Sequence, residues 1–406
     1  MSLTGIPLLR TAGLLALFAL GTASAPAFAQ AGKIKKAEKM LAKFDDGNAA
    51  ALEKAWASLS DARVHPDTRD TPKTWVLLAE TAWTYAMDPD LTAPMPDAWQ
   101  STYDAWDTAI GKGAKDAYAE RVVTGLAILE SAANTQATNA YEGGRMDEAW
   151  VDMKRVLDTQ SLIRQVGKLD PAKEVAALKL GLVIATEVGE LDDARALHDQ
   201  LDDVGGRRTG QTLTLARAIQ KGENVQSAVD FLRPYVEADP DDATMFAALG
   251  GWLVEQEEPD KLKALLEANA ELVGKAPAIT LVHAQLWTAI DALDEAKEAY
   301  EAALKVDGRN QDVLRGYAAL MVTRGRDFAA KAAETKAYKA RKALRTERDE
   351  SFMRAMTLLE TSRELEPGHL QTLQQLREVY DEVELDDPEE IAALDEAIKN
   401  AEDAAE

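Results

Sequence analysis

The sequence predicts an all-α fold, an α-solenoid built from successive helix pairs. Three observations carry that prediction. Apolar residues recur at helical 3,4-spacing in segments rich in Ala, Leu, Glu and Lys, broken by Gly, Pro and Asp-rich turns. Period-two β-branched runs are scarce, and the Asn-Gly turns that mark hairpins are absent. Small or apolar residues also return every 34 positions, at Ala194, Ala228, Leu262 and Ala296. A fixed period of this length marks stacked repeats, because one helix pair cannot bury its own apolar face.

Residues 1–29 read as a secretory leader. Arg10 gives a positive start, Thr11 to Leu20 is an apolar run too short for a comfortable span, and Ala27-Phe28-Ala29 is a cleavage signal. Removal of the leader leaves 377 residues and shifts the net charge from −24 to −25. The expected location is periplasmic or secreted. Residues 30–144 read as divergent helical pairs, with helices near 33–44, 49–63, 72–87, 96–111 and 116–142. They either continue the solenoid or form a separate small helical domain up to about residue 112.

The clear register occupies 145–308. Ala149 lies one repeat plus an extension before Ala194. Ala355 lies one repeat plus an insertion after Ala296. Four and seven positions after the small residues come Leu232/Tyr235, Leu266/Asn269, Tyr300/Ala303 and Leu359/Ser362. The pairs end at Asp239-Pro240, Gly274, Asp307-Gly308 and Glu366-Pro367, where Pro or Gly stops a helix. The next helices open with Phe246-Leu249-Gly250-Leu253, Leu314-Tyr317-Ala318-Met321 and Leu373-Leu376-Arg377-Tyr380. Small residues within those faces let helices approach closely.

On these residues the chain resembles the tetratricopeptide repeat (TPR) family, whose unit is a 34-residue helix–turn–helix. More narrowly, it looks like bacterial envelope TPR proteins of unassigned activity. The resemblance implies a right-handed superhelix and a role in binding other proteins. Thr280 and His283 depart from it, standing where large apolar residues are usual, and so does Arg377, where Gly or Ala is usual. Residues 309–384 read as further repeats interrupted by a basic helical insertion at about 326–350. Residues 385–406 read as an acidic capping helix with an Ile391, Leu394, Ile398 stripe.

Composition excludes several chemistries. With no cysteine there is no disulfide, Cys-ligated metal, thiol nucleophile or lipid-anchor cysteine. Seventy Asp and Glu against 46 Lys and Arg argue against a general nucleic-acid surface. The four histidines, His65, His198, His283 and His369, lack ligand spacing, and no cofactor is expected. Gly143-Gly144 and Gly205-Gly206 fit turns between helices. Gly250-Gly251 fits close helix packing.

The expected function is an exported scaffold that binds a protein or peptide through the groove lined by the first helix of each pair. Groove candidates are Thr244, Ala247, Gly251 and Glu255, then Asp312, Arg315, Ala319 and Thr323, then Gln371, Gln374 and Glu378. A second candidate is a basic docking patch at Lys336, Lys339, Arg341, Lys342 and Arg345. It lies in a 324–348 segment with nine basic residues against three acids. Two other readings stand beside the scaffold. One is an enzyme acting on envelope glycan, with a cleft near Trp83, Trp99 and Trp106; the other is a carrier of a small ligand.

Overall fold

The computed structural model describes residues 31–45, 49–88, 90–91, 95, 97–383 and 387–404. The leader read over residues 1–29 lies outside them, as do Pro94 and Pro96. The described residues form nineteen α-helices and one 3₁₀ turn, with no strand. No helix among them is long and apolar enough to cross a membrane. The chain divides into two compact units at Arg207–Arg208, inside the 145–308 stretch.

The first unit holds α1 (Ala31–Asp45), α2 (Ala49–Ala62), α3 (Pro72–Met87), α4 (Ala98–Gly111), the single turn α5 (Ala114–Ala117), α6 (Ala119–Glu142), α7 (Met146–Gln165), α8 (Pro171–Val188) and α9 (Leu191–Asp203). Helices pack in consecutive pairs α1/α2, α3/α4, α6/α7 and α8/α9, and α2 rests on α3 as α7 rests on α8. Local chemistry sets the boundaries. Pro72 and Pro171 occupy first turns, where a missing N–H costs nothing. Asp170 Oδ1 accepts the Ala172 N–H at 2.9 Å. Gly144, Gly189 and Gly205 close helix ends at φ +70°, +84° and +66°. The turn role read for the 143–144 and 205–206 glycines is thus the observed one.

Aromatic side chains fill the interior of this unit. Trp106 is 2% exposed, and the Trp83 and Trp99 rings meet edge to face at 5.5 Å. Gly125 on α6 makes room for Trp106: a Cβ there would lie 2.3 Å from Cζ2 of the indole.

The second unit runs α10 (Thr209–Gly222), α11 (Val225–Ala238), α12 (Ala243–Glu255), α13 (Pro259–Ala268), α14 (Pro277–Ala289), α15 (Leu293–Val306), α16 (Gln311–Glu334), α17 (Tyr338–Leu365), α18 (Leu370–Glu382) and α19 (Pro388–Asp403). Every helix from α10 to α18 packs on the next in sequence, and alternate helices from α10 to α18 also make second-neighbour contacts. These join the first helices: α10 to α12, α12 to α14, α14 to α16 and α16 to α18. Contacts confined to first and second neighbours define a solenoid. Three of the five first helices are capped from the side chain, by Asp242, Asn310 and His369, and so are α11 and α19, by Asn224 and Asp387; each accepts a backbone N–H of the first turn.

The 34-residue register is the burial register. Ala149, Ala194, Ala228, Leu262, Ala296 and Ala355 are each fully buried within their own unit. Gly250 is the tightest approach in the second unit, where a Cβ would sit 2.4 Å from Leu286 Cδ1. The two odd residues of α14 also have structural explanations. Thr280 accepts the Gly274 N–H at 2.9 Å and donates to Ala276 O at 2.7 Å, fastening the preceding turn. His283 is fully buried, stacked on Phe246 at 5.0 Å, and neither ring nitrogen has a hydrogen-bond partner. Arg377 reaches Asp395 of the capping helix at 2.9 Å and pairs with Asp381 in its own. Leu394 is the buried centre of that cap, with Ile391 and Ile398 half-buried beside it.

Two predictions follow from this packing. Gly125→Ala gains helix propensity of about 1 kcal/mol but drives a methyl into a rigid buried indole, an overpacking cost of about 1–3 kcal/mol. Denaturant unfolding should therefore show net destabilisation, with blue-shifted or quenched Trp emission altered in the native baseline. The second concerns His283, whose imidazole burial pushes down to about 4. The unfolded chain takes up that proton near 6.5, so the folded state loses up to about 3 kcal/mol as pH falls from 6.5 to 4. His283→Leu removes this loss, and its Tm advantage over wild type should widen as pH falls through that window. A difference independent of pH would show that the histidine is protonated in the fold.

Candidate functional site

The eleven groove candidates fall on three first helices, α12, α16 and α18. Thr244, Gly251 and Glu255 are exposed and Ala247 is half-buried. Asp312, Ala319 and Thr323 are exposed and Arg315 is half-buried; Gln371, Gln374 and Glu378 are exposed. Each set runs at 3,4-spacing along the side opposite its helix's buried face, as on α12 where Met245, Phe246, Leu249 and Leu253 point inward. The structure therefore places all eleven at the surface.

Two stretches of the same face escaped the sequence reading. On α14, the intervening first helix, Ala278, Gln285 and Ala289 are exposed and Leu281 is half-buried, the same pattern as on α12 one repeat earlier. On α10, Gly210, Arg217 and Lys221 are exposed at the matching positions. Stepping 34 residues in either direction from Thr244, Gly251 and Glu255 would have found them. Since α10, α12, α14, α16 and α18 contact in succession, these stripes form a continuous strip.

The strip is small and polar. A Cβ built on Gly251 meets no atom within 4 Å, so this glycine faces open space. That corrects the reading of Gly250-Gly251 as a packing pair: only Gly250 is pressed against a neighbouring helix. Charges in the strip are tied to neighbours. Gln220 of α10 donates to Glu255 at 3.1 Å. Arg315 pairs with Asp312 at 2.7 Å and approaches Glu366 at 3.6 Å. Glu378 lies 3.6 Å from Arg326, whose guanidinium also meets Glu382 at 2.8 Å. The hydrogen bond to Glu382 raises the pKa of Arg326 further above its ordinary value. Gln374 departs from the strip's open character: its Nε2 is 3.5 Å from Glu402, and with Gln371 it borders a shallow crevice between α18 and α19.

The basic candidates behave differently. Lys336, Lys339, Lys342 and Arg345 are exposed and Arg341 is half-buried, all around the turn between α16 and α17. None of the five joins an ion pair among the described residues.

Among the described residues the tryptophan rings pack against one another and their neighbours. Trp83 and Trp106 are buried, Trp99 is half-buried, and the Arg155 guanidinium lies over the Trp99 ring at 4.8 Å. The described interior around these rings is filled by side chains. The buried carboxylate nearby, Glu80, is held by Arg121 in a two-point pair, with Nε to Oε1 at 2.9 Å. Burial raises the Glu80 pKa and Arg121 opposes that shift. A second buried carboxylate, Glu130, accepts from Gln160 at 2.8 Å. His198, fully buried as its packing position suggested, has its pKa lowered mainly by burial. Among the described residues no group of three potential ligands could hold a metal ion.

No family model matches the chain, and no curated protein matches it. Among solved structures it is similar to a TPR repeats protein from Bacteroides fragilis, at 14% identity over 62% of this chain and 98% of that one, with a TM-score of 0.35. It is also similar to MamA, at 14% identity over 46% and 92% of the two chains and a TM-score of 0.33. A third is YrrB, described as a TPR protein with an unusual peptide-binding site, at 18% identity over 50% and 92% and a TM-score of 0.31. Superpositions this loose add no weight of their own. The chain is an α-solenoid of helix pairs on the strength of its own register and contacts, and its 34-residue unit is similar to that of TPR arrays.

Proposed function

We propose that the chain is an exported scaffold of the bacterial cell envelope, which holds a protein segment along the first-helix strip of α10 to α18. The observation that carries this reading is the strip itself. It repeats small or polar side chains over successive first helices, with Gly251, Ala278, Ala289 and Ala319 leaving low points between charged positions. Small side chains admit a backbone closely, and a row of them suits an extended peptide or a partner helix better than a compact small molecule. Binding energy comes from apolar atoms buried along the row. Arg217, Lys221, Glu255, Arg315 and Glu378 set partner choice and encounter rate. The leader-like residues 1–29 and the cleavage signal at Ala27-Phe28-Ala29 support export.

Gly251 provides a clean test, because a Cβ there meets no atom within 4 Å. Gly251→Trp should keep or raise Tm, since glycine inside a helix is about 1 kcal/mol worse than a good helix former. A photo-crosslinking residue at Ala319 or Gln285 should capture a defined partner segment in cells, and Gly251→Trp should cut that yield at least tenfold. Equal capture from Glu267 or Glu295, on the second helices, would overturn the assignment of the strip. Export is read separately: the mass of the chain recovered from the periplasmic or secreted fraction should begin at Gln30, and recovery of the uncut chain inside the cell would reject it.

A further inference from the structure

The basic insertion forms a projecting hairpin tip. Helices α16 and α17 have 24 and 28 residues, whereas α15 and α18 beside them have 14 and 13. Among the described residues the extra turns bury almost nothing. Their root is the contact of Gly325 with Phe352, where a Cβ would lie 2.7 Å from the phenyl ring. From 326 to 350 the only buried side chain is Ala332.

Charge along the hairpin is sorted by position. At the root the cations are neutralised: Arg324 pairs with Asp294 at 2.6 Å, Arg326 with Glu382 at 2.8 Å, Lys331 with Asp327 at 2.5 Å, and Arg348 with Asp349 at 2.6 Å. At the tip Lys336, Lys339, Arg341, Lys342 and Arg345 have no ion-pair partner among the described residues, and Glu334 is the only carboxylate between 328 and 346. Tyr338 stands among them and is 73% exposed, the most exposed large hydrophobic side chain among the described residues. Tyr338, Arg341, Lys342 and Arg345 share one face of the first two turns of α17, at spacings of three, four and seven.

We propose that this tip docks on an anionic lipid bilayer surface. The inference is independent of the strip proposed above. Three features select a bilayer over other anions. From 326 to 350 every side chain but Ala332 is exposed or half-buried, so the hairpin end presents its cations on more than one side, an arrangement that a fluid surface can follow. An exposed tyrosine beside lysines and arginines matches the interfacial region, where aromatic rings sit at headgroup depth and basic side chains meet anionic headgroups. The hairpin also resolves a conflict of sign. The chain carries a net charge of −24, which an anionic surface repels. Some nine to fourteen residues of helix separate the tip from the root, or ~14–20 Å, about twice the screening length at physiological ionic strength. Tip-first contact therefore holds the acidic neighbours α15 and α18 of the same unit beyond the range of that repulsion. A long polyanion such as nucleic acid would instead run off the tip against acidic flanks.

The test is flotation of the purified chain with vesicles of phosphatidylcholine alone or with about one third phosphatidylglycerol, at 0.1 M salt. Binding is expected on the anionic vesicles only and should fall steeply by 0.5 M salt. Lys339→Gln, Arg341→Gln and Lys342→Gln together should weaken partition by about 100-fold, roughly fivefold per charge near the surface. Tyr338→Ala should weaken it without changing the salt slope. All four positions are exposed or half-buried, so circular dichroism should report unchanged helicity. The combined substitution of Lys261, Lys263 and Lys275 by Gln, elsewhere on the second unit, should leave partition unchanged. Failure of the wild-type chain to float with anionic vesicles would overturn the proposal. So would undiminished binding by the tip triple variant, which would place the membrane contact elsewhere in the chain. Tighter binding to a single-stranded oligonucleotide than to vesicles would assign the tip to nucleic acid. Self-association lost in the triple variant, without vesicle binding, would assign it to a second copy of the chain.

Discussion

The structure depends on how closely successive helices can approach. A two-helix unit exposes too much apolar surface to stand alone, so each must press a face onto the next. What allows that contact is a side chain of almost no reach at one point in every unit. Ala194, Ala228, Ala296 and Ala355 serve this purpose with zero exposure, and Leu262 occupies the same register where the α13 helix is short. Gly250 takes the principle to its limit, giving its missing Cβ to Leu286. The outward strip is a by-product of the same periodicity. When one face of a helix is fixed by repeat contacts, the opposite face repeats as well, whatever it is used for.

The first unit meets the same constraint by different means, which explains why its register fades in the sequence. Before residue 145 the helix interfaces are spaced by large rings. Trp106 lies against Gly125, and Trp83 meets Trp99. Buried polar pairs then fix the alignment of helices: Glu80 with Arg121 joins α3 to α6, and Glu130 with Gln160 joins α6 to α7. Such pairs bring little net stability once the cost of desolvating them is met, but an uncompensated partner would be very costly. They therefore penalise any slip of one helix past another. In the second unit the small-residue seam performs that alignment without charge.

Much of this was legible from residue spacing, and the parts that were not have identifiable physical causes. The N-terminal helices, the seam and the glycine turns were readable because each depends on residues close in sequence, although the helix expected over 116–142 is broken at Tyr118 into α5 and α6. Thr280 looked like a defect, since its role is to hold a turn six residues back through Gly274 N–H. Arg377 looked like one too, because its partner Asp395 lies eighteen residues on and belongs to the cap. In the other repeats a small residue admits the next helix. In the last repeat the neighbour is an acidic helix, and a cation does the joining. The strip on α14 was missed for a related reason: Thr280 and His283 drew attention to the buried face of that helix, although its outward face keeps the register unchanged.

The insertion shows what charge counting can and cannot reveal. Nine cations against three acids over 324–348 signal an unusual segment, but the sum hides their arrangement. An Ala, Lys and Arg-rich segment without proline or internal glycine after Gly325 has every reason to remain helical, so the insertion lengthens two existing helices and leaves the repeat intact. Lengthening a helix hairpin moves its middle residues away from the body. Arg324 and Arg326 near the root find carboxylates of α15 and α18, Lys331 and Arg348 find carboxylates of their own helices, and the cations at the tip find none among the described residues. The separation of paired from unpaired charge is thus set by helix length against neighbour length, 24 and 28 residues against 14 and 13. The same geometry would have left these side chains solvated on any extended hairpin. What singles out this one is the sign, opposite to that of the chain as a whole, together with a tyrosine that is more exposed than any other large hydrophobic side chain among the described residues.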